Sequence, residues 1–284
     1  MRTRLIPILA TLAVPGIAQT AICQSADFTK EHEFAIGIEG PAVDHAGNLY
    51  VLNLHKDGNV ARIHPDGSAD IFVELPAGST PNGTRFHSDG SMLLADYTGH
   101  NILRVDMKTH AVTVWAHEPR MNQPNDLAIT RNNTIFVSDP NWGNNTGNLW
   151  RISSDRKVTL VEANMGTTNG IEVSPDERHL YVNESIQRSV WRYEVHPDGS
   201  VSGKKLFAQF FDFGMDGMRC DRHGNLFIAR FGKGTVVELS PEGKPIREIR
   251  LKGKNPTNLT FSRDYKTVYV TIQDRGMVEM FSVR

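Results

Sequence analysis

Six short stretches of the chain carry an oxygen-bearing side chain in the same local setting: Glu39 in IEGPAV, Asn82 in TPNGTRF, Asn125 in QPNDLAI, Asn169 in TTNGIEV, Asp216 in MDGMRC and Asn258 in PTNLTF. Two are carboxylates, four are amides, and none is Cys or His. Delivered to one place, they would form a hard-oxygen cluster. Such donors suit Ca2+, which accepts amide carbonyls as readily as carboxylates; Mg2+ and Mn2+ are further candidates, whereas zinc and copper favour nitrogen or sulfur. A cation would also relieve an electrostatic difficulty, because two carboxylates gathered away from water must otherwise protonate or repel. Turn chemistry is the competing explanation, since Asn, Asp and Gly at strand starts often bond the backbone two residues on. Six polar residues in register, with a Glu where turns have no use for one, favour the ligand cluster. Asn82 and Asn258 are its expected outer members, binding substrate or satisfying neighbours.

A repeat supplies the framework. Helical periodicity is nearly absent, while runs such as LYVLNL, MLLADY, IFVSDP, LYVNES, LFIARF and VYVTIQ recur between Gly, Asp, Asn and Pro clusters, as strands do. Their central residues, Tyr50, Leu93, Phe136, Tyr181, Phe227 and Tyr269, lie roughly 42 to 46 residues apart, the period of four-stranded propeller blades. A second strand follows each run, from NVARIHPDG in the first unit to MVEMFSVR in the sixth. The sixth unit is one strand short, so FTKEHEF ahead of the first unit is predicted to supply the missing edge. The fold class is therefore all-β: one six-bladed β-propeller over residues 26–284, with an N-terminal strand closing the last blade. The six oxygen-bearing residues start the innermost strands and form a ring around the axis.

Bulk properties narrow the setting. Arg2 and Arg4, an apolar stretch and then small residues have the layout of a secretory signal. This reading makes residues 1–25 a leader, starts the mature protein near Ala26 and places it in the periplasm or outside the cell. No later stretch reaches the length of a membrane helix. Only Cys220 remains after Cys23, which excludes an internal disulfide in the mature chain. A formal net charge of -1, with the positive residues dispersed, offers no footprint for nucleic acid or an anionic membrane.

The segments IEGPAVDHAGNLYV, PNDLAITRNNTIFVSDP, TNGIEVSPDERHLYVNES and MDGMRCDRHGNLFIARFGKGTVVELSPEG resemble the gluconolactonase, senescence marker protein and luciferin-regenerating enzyme family of calcium-dependent six-bladed propellers. The resemblance spans essentially the whole mature chain. It implies that Glu39, Asn125, Asn169 and Asp216 bind the metal, and that the substrate is a small-molecule lactone. The segment NPTNLTFSRDYKTVYVTIQDRG is also similar to the squid-type diisopropyl fluorophosphatase. Gln273 stands where that enzyme carries a His, and Arg219 where it carries a carboxylate for a second calcium.

The chemistry expected from this resemblance is hydrolysis of a lactone whose carbonyl a divalent cation polarises. Asp216 is the expected base or nucleophile, with Glu39 in reserve. Asn82, Arg85, Trp142, Asn258 and Gln273 are the candidate substrate-binding residues. Phosphotriester hydrolysis, or an exported binding module with a structural ion, are the alternatives. The eleven His residues show no HxH or HExxH spacing, and no GxSxG elbow occurs. Asp96, Asp139 and Glu184, at the ends of strands, are expected to cap their hairpins.

Overall fold

The computed structural model describes residues 25–283; all of the leader reading but Ser25, Cys23 included, falls outside the described residues. Twenty-four strands assemble into six four-stranded antiparallel sheets, giving the expected six-bladed β-propeller. Each unit begins with an inner strand: Phe34–Val43, Pro81–Phe86, Leu127–Ile129, Thr168–Val173, Met218–Cys220 and Pro256–Phe261. These six touch one another in succession around a closed circle, so whatever their first residues carry meets at the axis. No helix among the described residues is long and apolar enough to cross a membrane.

Hydrophobic burial lies between blades rather than on the axis. Leu93, Ala95 and Ile102 of the second blade pack on Leu127, Val137 and Trp150 of the third. Phe227 and Val236 of the fifth meet Leu259 and Val270 of the sixth, and Val51 of the first meets Val278 of the sixth. Both faces of every second strand are therefore covered, which is why LYVLNL is buried at all six positions and the runs read as continuous rather than alternating apolar segments.

Closure uses an edge slightly earlier than FTKEHEF. Ala26 and Asp27 pair with Met280 and Glu279, and the N–H groups of Phe28 and Thr29 continue the contact to the Val278 carbonyl. Buried Glu279 accepts the Ser25 hydroxyl, the Gly253 N–H at 2.9 Å and Arg275 Nη1 at 2.8 Å. Arg275 in turn holds Asp27 and Glu31. Ser25 is thus already inside the fold.

Candidate metal centre and active site

Every ring residue sits where an inner strand leaves regular pairing. Register shifts fall at Glu39, across Asn82, across Asn169 and across Asn258. In the third and fifth blades the strand starts only after Asn125 and Asp216, which are tethered by single bonds from their N–H groups to the Ser138 and Ala229 carbonyls. Such irregularities re-aim a side chain that a regular pleat would direct into the interblade layers. The loops leading into the ring are gripped from behind. Asp96 accepts the Thr80 N–H at 3.1 Å, Asp139 those of Asn122 and Gln123 at 2.7 Å, and Glu184 that of Gly166 at 2.9 Å. The expected caps are therefore braces for the ring.

Glycine follows the ring residue in four units because the neighbouring blade arrives there. A Cβ on Gly83 would lie 2.6 Å from Asp126 Cα, and one on Gly217 would occupy the Asn258 amide.

The amide groups divide by function. Buried Asn125 Oδ1 and Asn169 Oδ1 have no hydrogen-bond partner, and an isolated buried carbonyl is costly. Asn258 is different: its Oδ1 accepts the Leu259 N–H at 2.9 Å, while its Nδ2 donates to Glu39 Oε2 at 3.2 Å. Asn82 Nδ2 donates to the Asn125 main-chain carbonyl at 3.3 Å. Two orphan oxygens beside two carboxylates fit a hard cation, and Asn258 differs in that its oxygen already accepts a main-chain N–H. Among the described residues no three His, Cys, Asp or Glu side chains gather as a metal cluster; the fit depends on the amides.

Electrostatics point the same way. Burial pushes Glu39 up to about 8, against the pull of the Gly40 N–H. Burial, then the charge of Glu39, raise Asp216 well above the usual carboxylate range, opposed by a hydrogen bond from Asn169. Beneath the ring lies a set the sequence did not reveal. Asp126, fully buried, is held at 3.1 Å by Arg85 and 3.0 Å by Arg219, and Arg85 reaches Glu172 at 3.0 Å. Burial works against Asp126, yet the two guanidiniums keep its carboxyl low. Glu39, Asp126, Glu172 and Asp216 against Arg85 and Arg219 leave two formal negative charges, the complement of one divalent ion.

The remaining candidates are spread along the axis. Arg85 is committed to these ion pairs and to the Ile171 and Thr84 carbonyls, below the ring rather than at the mouth. Trp142 occupies the turn after Asn141, in the connection between the second and third strands of the third blade. Gln273 opens the short turn Gln273–Arg275, its N–H bonded to the Asn255 carbonyl at 2.9 Å. Both lie at the ring end. A cavity of about 300 Å³ opens at the opposite end, floored by Arg85, Glu172 and Arg219, so the ion pairs plug the tunnel between its two mouths.

Residues 39–274 match the family described as SMP-30/Gluconolactonase/LRE-like region. A gluconolactonase of Zymomonas mobilis is 28% identical over 269 residues, covering 82% of this chain and 75% of its own. The diisopropyl-fluorophosphatase of Loligo vulgaris is 25% identical over 286 residues, covering 89% and 91%. The crystal structure of a calcium-binding protein, regucalcin, from Agrobacterium tumefaciens superimposes with a TM-score of 0.81 at 21% identity, covering 93% of this chain and 96% of that one. With the match running from the first ring carboxylate to the turn after the last inner hairpin, the chain belongs to the SMP-30/gluconolactonase/LRE-like family.

Proposed function

We propose that the chain is a divalent-cation-dependent hydrolase that opens a lactone, calcium being the ion its donors favour. The observation that carries this reading is the pair of orphan buried amide oxygens beside two carboxylates that hold protons when no cation neutralises them. The gluconolactonase relative supplies the substrate class. Glu39, Asn125, Asn169 and Asp216 would hold the ion, which when bound supplies Lewis-acid polarisation of the carbonyl.

The chain's own residues do the rest. Glu39 is 7% exposed and its Oε2 is taken by the Gly40 N–H and Asn258, whereas Asp216 retains accessible surface. Asp216 is therefore the carboxylate a substrate can reach. As a general base it removes a proton from water while the water oxygen bonds to the acyl carbon. The ring C–O bond then breaks, and the proton passes to the departing alkoxide to give a hydroxy acid. As a nucleophile it would bond to the acyl carbon itself, the alkoxide taking its proton from water before a second water cleaves the anhydride. The plug of Asp126, Arg85 and Arg219 closes the tunnel behind the ring, so substrate and water share one mouth.

The test is a panel of aldonolactones and aromatic lactones with and without chelator. Turnover that chelator abolishes and calcium restores is the expected result. No turnover across the panel, with calcium still raising thermal stability, would instead favour a binding scaffold. The match to a diisopropyl-fluorophosphatase supports a second reading at the same centre, which fluorophosphate turnover exceeding that of every lactone would promote. The leader read in residues 1–25 assigns the reaction to the periplasm or the medium, and fractionation of expressing cells checks it.

A further inference from the structure

The segments over the ring-side mouth change character around its circumference. Three residues ahead of the six ring members stand Ile36, Ser79, Asn122, Gly166, Phe213 and Asn255. The two that precede carboxylates are large and apolar, and they are 75% and 51% exposed, so neither serves the core. Phe213 has company. A Cβ on Gly214 would lie 3.4 Å from Ser185 Oγ and 4.0 Å from the Phe231 carbonyl, and one on Gly232 would lie 3.3 Å from Phe213 Cδ1. Three loops therefore meet on the Asp216 side of the mouth, and they carry Phe213, Phe231 and Ile186, the last 44% exposed. Phe213 also holds a φ of 40°, a conformation that aromatic residues rarely take and that persists where the surroundings impose it. Its neighbour Phe211 turns elsewhere, lining a cavity on the outer flank of the fifth blade with Val237, Pro245 and Ile246.

We propose that Ile186, Phe213 and Phe231 form an apolar wall that receives an alkyl or aryl substituent of the substrate. The lactones this chain takes are then those with an apolar side chain, not the polyhydroxylated sugar lactones named for its gluconolactonase relative. This rests on the lactonase reading above. A lactone whose carbonyl approaches Asp216 must direct its ring substituent out along the mouth. Each methylene laid on such a wall is worth about fourfold in kcat/KM, whereas a hydroxyl there would surrender its water without gaining a partner.

The test compares, in the calcium-loaded protein, γ-butyrolactone, the same ring bearing a hexyl chain, and glucono-δ-lactone. The alkyl lactone is expected to lead by about tenfold or more in kcat/KM. Phe213→Ala should collapse the alkyl-to-unsubstituted ratio towards one, mainly through KM, and Phe213→Leu should restore most of it. Phe211→Ala should leave the ratio as it is. Preference for glucono-δ-lactone, or an alkyl preference that survives Phe213→Ala in a folded variant, overturns the wall. Should no lactone be hydrolysed at all, the lactonase reading is what has failed. Calorimetric binding of hexyl-substituted against unsubstituted γ-lactam then reads the wall on its own, and equal affinities for the two in the wild-type protein would refute it.

Discussion

Removing the cation should make this propeller less stable as the solution becomes less acidic. Glu39 is raised from 4.5 to about 8, so the folded protein without metal favours the protonated carboxyl. The stability that proton confers is fully present below the unfolded pKa and is lost as pH climbs through the folded one. For Glu39 alone the difference is on the order of 5 kcal/mol between pH 4.5 and 8, and Asp216 acts in the same direction. In a domain of this size that corresponds to a fall in Tm on the order of 10 °C. Carboxyls held low, such as Asp89 and Glu118 at about 2, work oppositely but only in stronger acid. His179, held low by burial, opposes the trend near neutrality, and it cancels when calcium-loaded and chelator-treated samples are compared. The assay is thermal unfolding from pH 5 to 8 with chelator or with saturating calcium. Calcium protection should grow across this range, since metal binding no longer has to expel protons at the upper end. Protection that is constant, or that shrinks as pH rises, would refute the placement of two proton-holding carboxylates at one cation site.

Other perturbations read other parts of the centre. Asp216→Asn should leave the propeller folded and lower kcat by roughly 10²- to 10⁴-fold; unchanged turnover would remove Asp216 from the chemistry. Asp126→Ala leaves buried Arg219 without its carboxylate and Arg85 with Glu172 alone, and should cost about 3 to 5 kcal/mol in urea unfolding, whereas a loss under about 1 kcal/mol would show the plug to be loosely solvated. Gly217→Ala drives a methyl into the Asn258 amide that supports Glu39. It should cost about 1 to 3 kcal/mol and weaken calcium binding, and calorimetry showing wild-type affinity would mean Asn258 does not position Glu39.

Much of the frame is legible because the physics is repetitive. Interblade layers bury both faces of each second strand, so Leu93, Phe136 and Phe227 announce the period directly. The ring is legible because a Glu and an Asp recur in register with amides. What the sequence hides is set by pairings far apart along the chain. Nothing local tells that Arg85 and Arg219 converge on Asp126, and Arg85 read in isolation looks like a mouth residue. The different fates of Asn169 and Asn258 are equally invisible, since they depend on which neighbouring N–H reaches each oxygen. The ring-closing edge begins two residues ahead of FTKEHEF for a similar reason: Ala26–Asp27 is too short to carry a pattern, and its place is fixed by pairing to Met280 and Glu279.

Calcium titration calorimetry on chelator-treated protein addresses the cation centre most directly, comparing wild type with Asn125→Ala and Asn169→Ala. One equivalent of calcium should bind to wild type with release of protons near neutral pH, and each alanine variant should bind at least about tenfold more weakly. Absence of calcium uptake by folded wild-type protein, or variants that bind as wild type does, would contradict a site built on those two amide oxygens.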